Sequence, residues 1–273
     1  MRRAAVVAAL ALAITGCQAP TDAALPAPGA GSALAVAPDN LATLWLVTPD
    51  GTFRSPDGGH SWFRIARLTS GSVAFTPAGA LVAPGGRRLL LAATSGSGGL
   101  RGGIRTPAVL VSISSPWYLT GRVYGLDAAG RLWHSHDGGR HWRRSPGRGL
   151  PPGAVGMVAA LWHRGRPDVL YVAAGRRGVW ASFDSGASFR RVSAVDAVAV
   201  AATPARFGLL LVAGSSGLWR STDAGAGMRR VAAGRGIGAL ALDPWNWRLA
   251  YASGGGDLLR SIDGGAHWSP WPG

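Results

Sequence analysis

Five copies of one pattern, S-x-D-x-G-x-x followed by an aromatic residue or Met, recur along the 273-residue chain. They run from Ser55 through Asp57 to Trp62, from Ser135 through Asp137 to Trp142, and from Ser182 through Asp184 to Phe189. The last two run from Ser221 through Asp223 to Met228 and from Ser261 through Asp263 to Trp268. Successive starts lie 80, 47, 39 and 40 residues apart, so the first gap holds two periods. A degenerate copy is expected near residue 95, and Ser95-Gly96-Ser97-Gly98-Gly99 stands there with serine in place of the aspartate. Self-similarity at about 40 residues marks a repeat architecture, here of six units.

The final unit shows the anatomy of one repeat. Short apolar or alternating runs cover Ile237 to Leu242, Leu249 to Ser253, Asp257 to Ile262 and His267 to Trp271. Asp-Pro, Gly-Gly and Asp-Gly-Gly turns separate them, so they read as four antiparallel strands, A to D. The repeated box is then the C–D hairpin turn: its aspartate accepts from turn amides, its glycine takes φ > 0 and its aromatic packs back over the turn. Four strands repeated six times predict an all-β chain, a six-bladed β-propeller of four-stranded antiparallel blades. Two residues before each box serine stand Phe53, Trp133, Trp180, Trp219 and Leu259, with Ala93 in the degenerate copy. These side chains are expected to pack blade against blade.

The propeller is expected over residues 32–273, preceded by two short segments of different character. Met1-Arg2-Arg3 and the apolar run Ala4 to Ile14 are too short to span a bilayer and fit a signal peptide over residues 1–16. Ile14-Thr15-Gly16-Cys17 resembles the lipobox of bacterial lipoproteins, which implies a lipidated Cys17 as the first mature residue, and residues 17–31 read as an Ala/Pro/Gly tether. The expected location is therefore extracytoplasmic, lipid-anchored to a bacterial membrane. Cys17 is the single cysteine, so no internal disulfide is possible.

All 28 basic residues are Arg and all 13 acids are Asp. Strand order alone sorts these charges. A–B loops and box turns share one face, which carries five arginines against eight aspartates; B–C and D–A loops share the other, with eight against four. Nine more arginines fall in strand D, the open edge of each blade, where charge opposes edge-to-edge aggregation. Arg87 and Arg88 in the second blade and Arg176 and Arg177 in the fourth occupy B–C turns. They are the expected contacts for an acidic or membrane-associated protein client. No metal or cofactor is expected: His134, His136 and His141 cluster in one hairpin, but His60 and His267 hold similar places beside other boxes. No helix-opening phosphate loop and no nucleic-acid motif is present. A monomer is expected.

With the repeats laid out, residues 33–271 resemble the BNR or Asp-box propellers, which include sialidases, xyloglucanase-type hydrolases, sortilin-like receptors and photosystem II assembly factors. Leu240-Ala241-Leu242-Asp243-Pro244-Trp245-Asn246, followed by Leu249-Ala250-Tyr251-Ala252, is similar to the blade opening of the xyloglucanase and photosystem-factor branches. The resemblance implies the fold and leaves function open. Sialidase chemistry needs a glutamate to activate its tyrosine, and the chain has no Glu. A xyloglucanase-like pair would need two aspartates, with Asp50, Asp127, Asp196 and Asp257 the candidates on the basic face. The expected function is a non-enzymatic scaffold or assembly factor; the alternative is a carbohydrate-directed propeller, either a glycan-binding module or a xyloglucanase-like hydrolase.

Overall fold

The computed structural model describes residues 33–94, 99–160, 165–233 and 236–271; the signal, Cys17 and the tether lie outside them, as do Ser95 to Gly98 of the degenerate box. It forms six four-stranded antiparallel sheets, as the repeat period requires. The first blade holds β1 (Ala33–Val36), β2 (Leu44–Thr48), β3 (Gly51–Ser55) and β4 (Phe63–Ala66). The second holds β5 (Ser72–Thr76), β6 (Gly79–Ala83), β7 (Arg88–Ala92) and β8 (Arg101–Arg105). The third holds β9 (Leu110–Ser114), β10 (Val123–Asp127), β11 (Leu132–Ser135) and β12 (Arg143–Arg144). In the fourth are β13 (Gly156–Ala160), β14 (Val169–Ala173), β15 (Val179–Ser182) and β16 (Arg190–Ser193). The fifth follows with β17 (Ala199–Ala202), β18 (Leu210–Gly214), β19 (Gly217–Ser221) and β20 (Arg229–Ala233). The sixth ends the ring with β21 (Ile237–Leu242), β22 (Ala250–Gly254), β23 (Asp257–Ser261) and β24 (Ser269–Pro270).

The first strand of each blade is innermost. These strands touch in ring order, and β21 returns to β1. No strand is exchanged at that junction, since the first blade uses only its own residues and so does the last. Side chains close the ring instead. Leu34, Val36, Phe53 and Trp62 pack with Ala239, Ala241, Tyr251 and Leu258 in one buried cluster. Trp271 donates its indole N–H to the Gly58 carbonyl at 2.7 Å, and Trp245 donates to Pro38 at 2.8 Å.

The box turn is the same object five times. Serine Oγ donates to the aspartate Oδ1 at 2.6–2.8 Å and accepts the amide of the glycine four residues on at 2.7–2.9 Å. The same Oδ1 accepts the amide six residues after the serine, from Ser61, His141, Ser188, Gly227 or His267. Where the aromatic is Trp, its indole N–H returns to that box glycine's carbonyl, at 3.0, 2.7 and 3.1 Å for Trp62, Trp142 and Trp268.

The box glycines also decide how blades meet. Gly59, Gly139, Gly186, Gly225 and Gly265 all have φ between +80° and +103°. A Cβ there would press on the preceding blade: on Leu132 at 2.3 Å from Gly186, and on Leu211 at 2.5 Å from Gly265. Glycine therefore serves both the turn conformation and the seam between blades.

Strand D is shorter than the sequence implied, only two residues in β12 and β24. All nine arginines assigned to it do lie there, exposed. Register explains four of them: Arg64, Arg144, Arg191 and Arg230 stand directly opposite Phe53, Trp133, Trp180 and Trp219. Their aliphatic stems can cover the aromatic row while the guanidinium stays in water.

Two stability predictions follow from this geometry. Ala224 holds φ +61° where three other boxes have glycine, so Ala224→Gly should raise stability by about 1 kcal/mol. Trp271→Phe, which removes the closing N–H and part of the ring packed on the first-blade cluster, should cost at least about 1 kcal/mol. Urea unfolding midpoints of the two variants, moving in opposite directions from the parent, check both.

Candidate functional site: two faces and an axial cavity

On the box face, buried corners add to the turns. X-Pro pairs open the A–B connection in five blades: Ala37-Pro38, Thr76-Pro77, Ser115-Pro116, Thr203-Pro204 and Asp243-Pro244. Asp243 is fully buried and accepts the amides of Trp245 and Asn246, both at 2.8 Å. In the fourth blade, buried Asp168 accepts Tyr124 Oη at 2.8 Å and pairs with Arg122 at 3.1 Å. Burial raises the pKa of both carboxylates; Tyr124 and Arg122 oppose it at Asp168, and the two amides oppose it at Asp243. Sequence reasoning passed over this group because Tyr124 and Arg122 come from the third blade and Asp168 from the fourth. The histidines have ordinary roles here. His141 and His267 bond Asp137 and Asp263 at 2.5 and 2.6 Å, replacing the serine found at the same place in other boxes. Among the described residues no His, Cys, Asp or Glu group could hold a metal ion. Large apolar side chains are exposed on this face: Leu119, Phe207, Trp245 and Ile262.

The opposite face carries the arginine turns. Arg87 lies in the turn before β7, Arg88 is that strand's first residue, and Arg176 and Arg177 lie in the turn between β14 and β15; all four are exposed. Arg88 stands opposite Arg105 across β7 and β8, a like-charge pair in direct register. No described carboxylate pairs with Arg87, Arg88, Arg105 or Arg176. Facing like charges are unfavourable and gain from an anionic partner. The fourth-blade turn is held rigid. Trp180 donates to the Arg177 carbonyl at 3.1 Å, Arg177 donates to the Pro152 carbonyl, and Gly178 sits where a Cβ would meet Ser193 O at 2.1 Å. Trp133 and Trp219 tie the corresponding turns of their own blades, to Asp127 at 3.0 Å and Ser216 at 3.2 Å.

Of the charges counted from sequence, one is misplaced, one is neutralised and one is not described. Arg148 runs beside the fourth-blade box, exchanging backbone hydrogen bonds with Ala187 and Phe189, because the long third-to-fourth connection folds along that blade's edge. Arg131 is committed to Asp127 at 2.7 Å. Arg235 lies outside the described residues. Two of the four candidate acids of this face have partners within the fold: Asp127 is buried beneath Trp133 and Arg131, whose hydrogen bonds outweigh burial and lower its pKa, and Asp196 accepts Ser215 at 2.6 Å, while Asp50 and Asp257 are exposed.

An axial cavity of about 760 Å³ runs between the faces, lined by the inner strands of all six blades. On the box side its lining includes Pro38, Pro116, Pro204, Pro244 and Trp117. Trp117 and Trp245, from opposite blades of the ring, meet edge to face with centroids 4.7 Å apart. On the arginine side its lip is formed by Ser70, Gly71, Gly85, Val155, Val198, Gly214, Ser215 and Gly236.

No family model and no curated protein matches the sequence. Among solved structures, the GH74 xyloglucanase of Xanthomonas campestris matches with a TM-score of 0.62 at 19% identity, over 91% of this chain and 46% of the enzyme. The Niastella koreensis GH74 enzyme gives 0.57 at 20%, over 85% of this chain and 36% of its own. YCF48 bound to a D1 peptide gives 0.57 at 16%, over 88% of this chain and 81% of its own. The chain thus spans less than half of either GH74 enzyme. Identities this low establish the shared propeller fold, which serves hydrolases and binding proteins alike.

The boxes also make a pH prediction. Burial pushes Asp57 upward, but hydrogen bonds from Ser61 and Ser55 bring it down to about 2. Asp263 is likewise raised by burial and brought to about 2 by His267 and Ser261. Asp137, Asp184 and Asp223 shift the same way. A lowered carboxylate stabilises fully above its unfolded pKa of about 4 and loses that contribution as pH falls through its folded value. Thermal melts should therefore drop between roughly pH 4 and pH 2, while an Asp57→Asn/Asp263→Asn variant, less stable at pH 7, should lose less over that window.

Proposed function

We propose that this propeller is a non-enzymatic, lipid-anchored scaffold or assembly factor that captures an acidic segment of a membrane-associated protein on its arginine face. The observation that carries the reading is the set Arg87, Arg88, Arg176 and Arg177: exposed, on one face, and without a carboxylate partner among the described residues. The turn carrying Arg176 is held in place before any partner arrives, which limits the ordering cost of binding. That YCF48, with which the chain shares its fold, binds a D1 peptide lends support to a peptide client. The lipobox-like Ile14-Thr15-Gly16-Cys17 supports the anchor and the extracytoplasmic location.

A second reading rests on a different observation. Phe207 and Trp245 are 61% and 48% exposed on the box face of adjacent blades, and Trp247 lies between Arg206 and Arg248. Exposed aromatic faces of this kind suit sugar rings, and the GH74 fold match is compatible with a glycan-binding module.

The test is crosslinking in membranes followed by quantification of captured protein. Replacing Arg87, Arg88, Arg176 and Arg177 with Ser should abolish capture and its decline with rising salt, since exposed charges are screened beyond about 8 Å at physiological ionic strength. A rim variant at Arg143, Arg144, Arg190 and Arg191 should capture normally, and Cys17→Ser should release the protein from the membrane. Loss of capture in the rim variant alone would move the site to the outer strands. Retention of xyloglucan by the parent chain, removed by Phe207→Ala/Trp245→Ala, would favour the glycan reading.

A further inference from the structure

The axial cavity has a composition that the arginine face does not explain. None of its lining residues is charged, in a chain with 28 arginines and 13 aspartates. Small side chains or none, from Ala33, Ala35, Gly156, Val158, Ala199 and Gly238, line it around the ring. Several of its hydroxyls are already spent between blades or loops. Ser72 Oγ donates to the Ile113 carbonyl and accepts its amide, both at 3.1 Å, Ser112 Oγ accepts Met157 N at 3.1 Å, and Ser215 is bonded to Asp196. Ordered water needs two to four polar partners, whereas apolar cavities stay dry and take apolar guests. The volume lies within the usual range for ligand sites.

The two ends differ. The box end is crossed by the Trp117–Trp245 contact, with Trp245 pinned to Pro38. The other end has Val155 and Val198 exposed at its lip. Around that lip lie the arginine turns: Gly85 is two residues from Arg87, and Arg177 bonds Pro152, three residues before Val155. Asp196, bonded to Ser215 at the lip, and the exposed Asp50 and Asp257 at the first and sixth blades' B–C turns lie on the same face. The inner strands are four to six residues long, a depth of roughly 13–20 Å at about 3.3 Å per residue. A bore with no charged lining, crossed by two indoles at one end and flanked at the other by arginine turns of the second and fourth blades, is complementary to one class of molecule.

We propose that the cavity binds an unbranched acyl chain with an anionic head, tail inward against Trp117 and Trp245 and head among Arg87, Arg88, Arg176 and Arg177. This site shares its four arginines with capture of a protein client and rests on that reading for the outer face: the bore takes the chain, and the arginines take the head. The same chemistry is present in a free fatty acid and in an anionic membrane lipid, and the experiment separates them.

Equilibrium binding of radiolabelled palmitate to the purified full-length protein should be saturable at one equivalent. Val158→Phe/Ala199→Phe, which fills the bore, should weaken it at least tenfold with an unchanged melting temperature and with client capture intact. Hexadecyltrimethylammonium, an equally long chain with a cationic head, should bind at least tenfold more weakly than palmitate. Palmitate brominated at its terminal carbon should quench tryptophan fluorescence in the parent and less in Trp117→Phe/Trp245→Phe, a readout that stands even if the bore-filling variant fails to fold. Equal palmitate binding by a folded bore-filling variant, or equal quenching in the two-tryptophan variant, would overturn the proposal. So would sedimentation with phosphatidylglycerol vesicles that the bore-filling variant matches while free palmitate does not bind, since that pattern means surface attraction to head groups alone. The arginine variant should weaken palmitate binding as well as client capture, and unchanged palmitate affinity there would overturn the placement of the head; intact client capture by the bore-filling variant tells failure of this proposal from failure of the client reading.

Discussion

One hydroxyl organises each of the five boxed blades. The box serine gives its proton to the aspartate and takes the amide of the glycine four residues on, so the turn is closed from both sides by a single Oγ. The aspartate, kept ionised by that proton and by backbone amides, then orders the descent into strand D. Because the closed turn places its glycine at positive φ, the preceding blade can press leucine or valine against bare backbone. Local turn chemistry and the seam between blades are thus one constraint, and the ring inherits its spacing from it.

The third, fourth and fifth blades also have a second lock at their other end. Box tryptophans return to their own turn, while Trp133, Trp180 and Trp219 donate to the B–C turns on the opposite face. Indoles therefore fix the ends of the hairpins as well as filling the space between sheets, which suits Trp better than Phe or Leu wherever a turn must be held. Four rim arginines lie across from this aromatic row, so much of the chain's positive charge has a structural place. Arg87, Arg88, Arg105 and Arg176 have no carboxylate partner among the described residues.

Ring closure shows how far packing alone can go. With no strand shared between first and last blades, the junction relies on the cluster around Phe53, Trp62 and Tyr251 and on two indole hydrogen bonds. Trp245 serves twice, bonding Pro38 at the junction and meeting Trp117 across the axis. Stability of the ring and closure of the cavity are in this way coupled through one side chain.

The repeat period, the strand count, the box turns and the exposed D-strand arginines were all legible in the amino-acid order, because each depends on contacts within about a dozen residues or on a simple count. Faces followed from strand alternation for the same reason, and failed where a long connection strayed, as at Arg148. What joins different repeats was not legible: the Tyr124–Arg122–Asp168 group, the Trp117–Trp245 contact and the axial bore. Nothing in one repeat specifies how its residues will face those of another blade, since that depends on how many blades close the ring and at what angle. Local turn chemistry, read in order, is enough for five boxed blades and one degenerate one; what stands at their centre depends on ring closure, because only closure brings six inner strands around one axis.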